Sequence, residues 1–193
     1  MEKLNKEYWE NRYKKEETGW AIGSISTPIK TYIDQLTDKS LKILIPGAGN
    51  GYEFDYLIQK GFNNVTVIDI AKQPILELIR RNPSKKSNII ECDFFTLNEK
   101  YDLILEQTFF CALDPKLRKK YVEQMHHLLF PKGKLVGLLF DFPLTHEGPP
   151  FGGSTEEYNS LFERTFKIKT LTTSYNSIKP RENRELFFIF EAK

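Results

Sequence analysis

Short apolar runs and amphipathic stretches take turns along this chain, and the two periods set out strands and helices in alternation. LKILIP (41–46), VTVID (65–69), NIIECD (88–93), YDLIL (101–105) and KLVGLLF (134–140) read as strands, most of them apolar enough to be buried on both faces. Between them the spacing turns helical. Phe54, Leu57 and Ile58 give one apolar face that Gly61 ends, and Pro74 opens a helix carrying Ile75, Leu76, Leu78 and Ile79. Asp114 and Pro115 supply an N-cap and a first helical position for Leu117, Tyr121, Val122, Met125, Leu128 and Leu129. FPKGK (130–134) then reads as a turn into the fifth strand. A Pro- and Gly-rich loop from Asp141 to Gly153 follows, of the kind that usually either carries function or is disordered.

The ends of the chain have their own patterns. Residues 5–16 are helical and aromatic, with Tyr8, Trp9 and Tyr13, and a second helix is expected with Ser26 and Thr27 capping and Pro28 in its first turn. After a short helix from Thr155, TFKIKTLTT (165–173) and ELFFIFEA (185–192) are joined by SYNSIKPREN, which predicts an antiparallel pair at the sheet edge. The whole is an α/β chain with a doubly wound, mostly parallel sheet, although periodicity leaves more than one strand order open. No repeat or linker divides it. The expectation is one domain over 1–193, with 1–37 a helical cover and 38–193 the core.

LKILIPGAGNG runs a strand straight into Gly47, Gly49 and Gly51, and a helical pattern follows at once. Glycine tolerates positive φ and carries no Cβ, so a chain leaving a buried strand there can turn sharply and offer bare backbone to a ligand. Tyr52 and Glu53 stand where a dinucleotide fingerprint has its last glycine and that glycine's neighbour. This favours S-adenosylmethionine, which has no pyrophosphate to seat on the helix, over NAD. Asp69 ends the second strand and can accept both ribose hydroxyls, with Ile70 beside it; the alternative is an Asp that only caps the next helix. Asp93 with Phe94 and Phe95 offers adenine an acceptor and an apolar flank, or is a cap beside core phenylalanines.

Charge and cysteine content narrow the class further. The 193 residues carry a net charge of +2 with Lys and Arg spread throughout, which argues against nucleic acid as a partner. The two cysteines, Cys92 and Cys111, have no metal-ligand spacing, and no metal is expected. No run reaches membrane-spanning length and the first residues are too charged for a signal segment, so a reduced, cytoplasmic protein is expected, without a membrane partner and as a monomer.

YWENRYKKEETGWAIG, LIPGAGNGYEFDYL, YDLILEQTFFCALDPKLR, GPPFGGSTEEY and PRENRELFFIF together resemble the thiopurine S-methyltransferase family, which includes thiol, thiocyanate and halide methyltransferases. The resemblance runs from Tyr8 to Phe190. It implies a class I methyltransferase (Rossmann-like) fold and transfer of the S-adenosylmethionine methyl group to a small soft nucleophile, usually sulfur. It also implies that Trp9 and Trp20 cover the cofactor, that Gly47, Asp69, Asp93 and Phe94 cradle it, and that Gln107 or Thr108 lies near its methionine moiety. Indole faces suit a sulfonium cation; the alternative is that the tryptophans only anchor the N-terminal helix. The chain departs from the family pattern at Ala48, often Cys, and at Gln107, often aromatic.

Direct methyl transfer asks for alignment and dryness more than for acids and bases. Phe109, Phe110, Phe142 and Phe151 are candidates to line a dry acceptor pocket, or are ordinary core. Arg181 and Arg184 are candidates to attract an anionic acceptor, or are solvated loop residues. His146 is a weak candidate for accepting a thiol proton, and Cys111 is read as a buried hydrophobe instead of a nucleophile. The alternatives are an oxygen or nitrogen methyltransferase of a small molecule, or a catalytically silent module that binds the cofactor and regulates a partner.

Overall fold

A computed structural model describes residues 4–145 and 147–193. Its centre is a seven-stranded sheet in the order β3-β2-β1-β4-β5-β7-β6. The strands are β1 (Ile43–Pro46), β2 (Val65–Asp69), β3 (Ile89–Glu91), β4 (Tyr101–Gln107), β5 (Leu129–Phe140), β6 (Phe166–Thr173) and β7 (Glu185–Ala192). β1 to β5 pair in parallel, whereas β7 runs antiparallel to both β5 and β6. The expected antiparallel pair is therefore present, with β7 placed inside β6.

The helices are α1 (Lys6–Lys14), α2 (Thr27–Asp34), α3 (Tyr52–Gln59), α4 (Lys72–Arg81), α5 (Arg118–His127) and α6 (Thr155–Phe162). Side chains alternate across the pleat, so one face of the sheet offers Ile43, Ile45, Leu103 and Leu105 to α2, α3 and α4. The other offers Leu44, Ile104 and Leu135 to α5 and α6. Among the described residues no helix is long and apolar enough to cross a membrane.

Two expected boundaries move and one expected side-chain cap is absent, each for a local reason. Asp114 accepts from the Lys116 N–H and starts a 3-10 turn over Pro115–Leu117, so α5 proper begins at Arg118. FPKGK lies within the span of β5: Tyr101 pairs with Leu129 but Leu103 with Lys134, so the intervening residues bulge out of the ladder, Lys132 at φ 65°. Ser26 precedes α2 but its hydroxyl does not cap it. That hydroxyl donates to Gln107 Oε1 at 2.7 Å instead.

Candidate functional site

The C-terminal ends of β1 to β5 open into a cavity of about 690 Å³, closed above by α1 and the segment after it. Ligands bind at this edge of parallel sheets, where neighbouring crossovers run to opposite faces and leave a crevice. Here that point lies between β1 and β4. It divides the cavity into a half over β1, β2 and β3 and a half over β4, β5 and the start of β7.

The first half is built on the turn Gly47–Gly51. A Cβ at Gly47 would stand 2.4 Å from the Phe109 ring, and one at Gly51 2.3 Å from Leu78, both at positive φ. Glycine is required on both counts. Asp69 ends β2 only 8% exposed; its Oδ2 accepts from the Gly49 N–H at 3.2 Å and its Oδ1 from the Ala71 N–H at 2.8 Å. The carboxylate also lines the cavity. Burial, only partly offset by these bonds, pushes the Asp69 carboxyl up to about 6. Ile70 lines the cavity beside it. Asp93 caps the turn Phe94–Thr96 by accepting from the Phe95 N–H at 2.9 Å and also lines the cavity, so its capping and ligand-facing readings coexist. Phe94 packs edge-on to Phe109, ring centroids 5.2 Å apart.

The roof is aromatic. Trp20 meets Trp9 and Tyr13 edge to face, both with centroids 5.6 Å away, and its carbonyl accepts from Arg181 Nη2 at 2.9 Å. Lys6 ties α1 to Glu91 of β3. Both tryptophans line the cavity and hold the cover together, so the two roles weighed for them are compatible in space.

The second half centres on Glu106, a fully buried carboxylate that sequence reasoning passed over. Its Oε1 accepts from the Phe109 and Phe110 N–H groups at 2.8 and 3.0 Å, and its Oε2 from the Tyr121 hydroxyl at 2.6 Å. Burial pushes this carboxyl up to about 6. With Thr108 at φ 58°, these bonds fold the chain back after β4 and set the Phe109 ring over Gly47. An acidic residue inside the apolar run YDLILEQ was the available signal, because a carboxylate there needs partners.

Gln107 and Thr108 face the cavity, as do Phe109, Phe142, Arg181 and Arg184. Two expected wall residues do not. Phe110 packs against Tyr121, Tyr158 and Phe162 in the core below, with the Arg118 guanidinium 4.8 Å above its ring. Phe151 is fully buried, its N–H donating to the Cys111 carbonyl at 2.8 Å, and it lies outside the cavity wall. Both correct the pocket assignment: the chain turns these rings away because the Glu106 and Arg118 bonds fix the backbone on either side.

Arg118, unnoticed in the sequence, is buried and donates to the Gly152 carbonyl at 2.6 Å, which holds the Asp141–Gly153 loop onto α5. Arg181 is also buried, not solvated, and faces Glu185 at 3.5 Å. Arg184 is exposed and lies 4.7 Å above the Phe142 ring. Cys111 is buried in the wall, and burial pushes its thiol up. His146 lies outside the described residues.

Known proteins share this architecture. A TehB-like SAM-dependent methyltransferase from Corynebacterium glutamicum superposes with a TM-score of 0.71 at 19% identity, covering 98% of this chain and 100% of that one. The N-methyltransferase NodS from Bradyrhizobium japonicum, crystallised with S-adenosyl-L-homocysteine, superposes with a TM-score of 0.68 at 18% identity, covering 94% and 98%. The fold is that of the class I methyltransferases. Sequence gives the family: the model of Thiopurine S-methyltransferase (TPMT) matches residues 4–192. The chain belongs to that family, and with it to the S-adenosylmethionine-dependent methyltransferases. Among its relatives are a probable thiol methyltransferase 2 of Arabidopsis thaliana, 28% identical over 92% of this chain and 81% of that protein, and a thiopurine S-methyltransferase of Acinetobacter baylyi, 25% identical over 87% and 88%.

Proposed function

We propose that the protein transfers the methyl group of S-adenosylmethionine to a small soft nucleophile: a thiol, thiopurine, sulfide, thiocyanate or halide. The names of its thiol- and thiopurine-methylating relatives support the acceptor class. The observation that carries the reading is the make-up of the second half of the cavity. Phe140, Phe142, Pro149 and Pro150 give it apolar walls, and the Arg184 guanidinium stands over Phe142 at its mouth. An anion that sheds water easily suits both features.

The residues present fit the cofactor. In this reading the bare backbone at Gly47, Gly49 and Gly51 lets an adenosine approach, the Asp69 carboxylate takes the ribose hydroxyls, and Ile70, Asp93 and Phe94 flank the base. Trp9 and Trp20 cover a cationic group, and Gln107 and Thr108 lie where the two halves meet. When bound, S-adenosylmethionine supplies a methyl carbon activated by a positively charged sulfur. The protein's share is positional. Phe109 and the tryptophans would exclude water, and the Phe142 wall with Arg184 would hold and orient the nucleophile. Attack by an anion, a thiol entering as its thiolate with its proton already lost to solvent, neutralises charge, so a dry, apolar pocket favours the transition state. Action in the cytoplasm as a monomer on a free small molecule, with residues 1–37 as cover and 38–193 as core, completes the proposal.

Methyl transfer from labelled cofactor to thiols, a thiopurine, sulfide, thiocyanate and iodide tests it. Turnover of at least one soft acceptor is expected. Turnover confined to alcohols or amines would overturn the assignment.

A further inference from the structure

Among the described residues Glu53 forms no salt bridge. It stands in the first turn of α3, 7% exposed, and lines the cavity. The charged groups that act on it are Arg181 and Asp55. Arg181 is committed elsewhere, with Nη2 on the Trp20 carbonyl at 2.9 Å and Nη1 facing Glu185 at 3.5 Å. Asp55, on the same helix, repels Glu53 and is itself paired with Arg81 at 3.0 Å. Burial pushes Glu53 up to about 7, the response of an ionisable group short of counter-charge. A buried carboxylate in this state is costly unless something that enters the cavity completes it.

Position and charge narrow what that is. Glu53 lies two residues past Gly51, on the helix that the glycine turn feeds, while Asp69 and Asp93 sit at the ends of β2 and β3. A methyl donor whose sugar is taken at Asp69 carries its amino-acid end away from β3, past that turn. Its sulfonium has no N–H or O–H to donate and its own carboxylate would be repelled, but its α-ammonium brings a positive charge and three donors.

We propose that Glu53 receives the α-ammonium of the methyl donor as a charge-assisted anchor. This rests on the reading of the cavity as a methyl-donor site, and it assigns to Glu53 the recognition of an amino-acid end. Asp69 is left with the sugar. Glu53 thus becomes a residue that selects S-adenosyl amino acids over other adenosine thioethers of similar shape.

Isothermal titration with S-adenosylhomocysteine and with its des-amino counterpart, hydrogen replacing the ammonium, tests the assignment. The unaltered protein is expected to prefer S-adenosylhomocysteine by roughly 10- to 100-fold, the range for a hydrogen bond to a charged group. In Glu53→Gln that preference should fall below about threefold, with affinity for the des-amino compound nearly unchanged. Equal weakening of both ligands, or a preference kept in full, overturns the proposal. Glu53→Asp keeps the charge but withdraws it by one methylene. It is expected to fold and to lose part of the preference, so it decides the matter even where Glu53→Gln does not fold; an undiminished preference there also overturns the anchor. Failure of the unaltered protein to bind either ligand would overturn the methyl-donor reading together with it.

Discussion

The cavity half over β1, β2 and β3 differs from the half over β4, β5 and β7 in what its carboxylates do. Asp69 takes backbone N–H groups and also lines the cavity. Glu106 spends itself on Phe109, Phe110 and Tyr121, wholly within the protein. Both are buried acids at strand ends, and burial pushes both up to about 6. One grips; the other shapes. The difference teaches that a buried acid in such a crevice is read by whether it also faces the cavity, and not by its burial or its shifted titration.

Removing each acid sharpens the contrast. Glu106→Ala orphans three buried donors and leaves a void, so a loss on the order of 3 kcal/mol in unfolding free energy is expected from chemical denaturation. Asp69→Ala is expected to leave stability within about 1 kcal/mol while weakening S-adenosylhomocysteine binding roughly 10- to 100-fold by titration calorimetry. The reverse pattern, with Asp69 the more structural of the two, would break the comparison.

pH separates the halves more gently. Glu53, Asp69 and Glu106 carry raised values of about 7, 6 and 6. Each binds its proton more tightly folded than unfolded, so their contribution is fully present below about pH 4 and is lost as pH rises through 6 to 7. The ligand-free protein is therefore expected to be more stable at pH 5 than at pH 8. Binding of S-adenosylhomocysteine should run the other way and weaken as pH falls through 7 to 6, where Glu53 and then Asp69 take up their protons. Denaturation and calorimetry over this range would show the two opposed slopes.

The smallest expected effect lies at the mouth. Arg184→Ala should raise KM for an anionic acceptor by roughly threefold to tenfold in low salt, with less effect at high salt and none on S-adenosylhomocysteine affinity. A change in cofactor affinity instead would assign Arg184 to the first half.

The first half was largely legible in the sequence, because its parts are local: a strand, glycines two apart and an acid at the next strand end. The glycine turn and Asp69 meet across a span of 20 residues, bridged by one βαβ unit of standard shape. The second half was legible only in part: Gln107, Thr108, Phe109, Phe142, Arg181 and Arg184 were candidates and do line the cavity, but the contacts that place them were hidden. Arg181 reaches the Trp20 carbonyl from 161 residues away, and Arg118 finds Gly152 only once α5 and the loop are both in place. No periodicity encodes such meetings. Phe110 and Phe151 show the same limit, since a phenylalanine beside a crevice and one beneath it look alike until the backbone turn at Thr108 is known. Ser26 and Glu106 were hidden differently: their residue types were visible, but their partners came from other elements.

The placement of β7 between β5 and β6 has a consequence for how the molecule is made. Without β7 the sheet would end at β5 with an open edge, and β6 would have nothing to pair against. Only when Glu185–Ala192 slides between them do both find partners. The Arg181 guanidinium, just ahead of that strand, reaches back to the indole roof, so the docking of the edge strands and the closing of the binding chamber are tied to one segment.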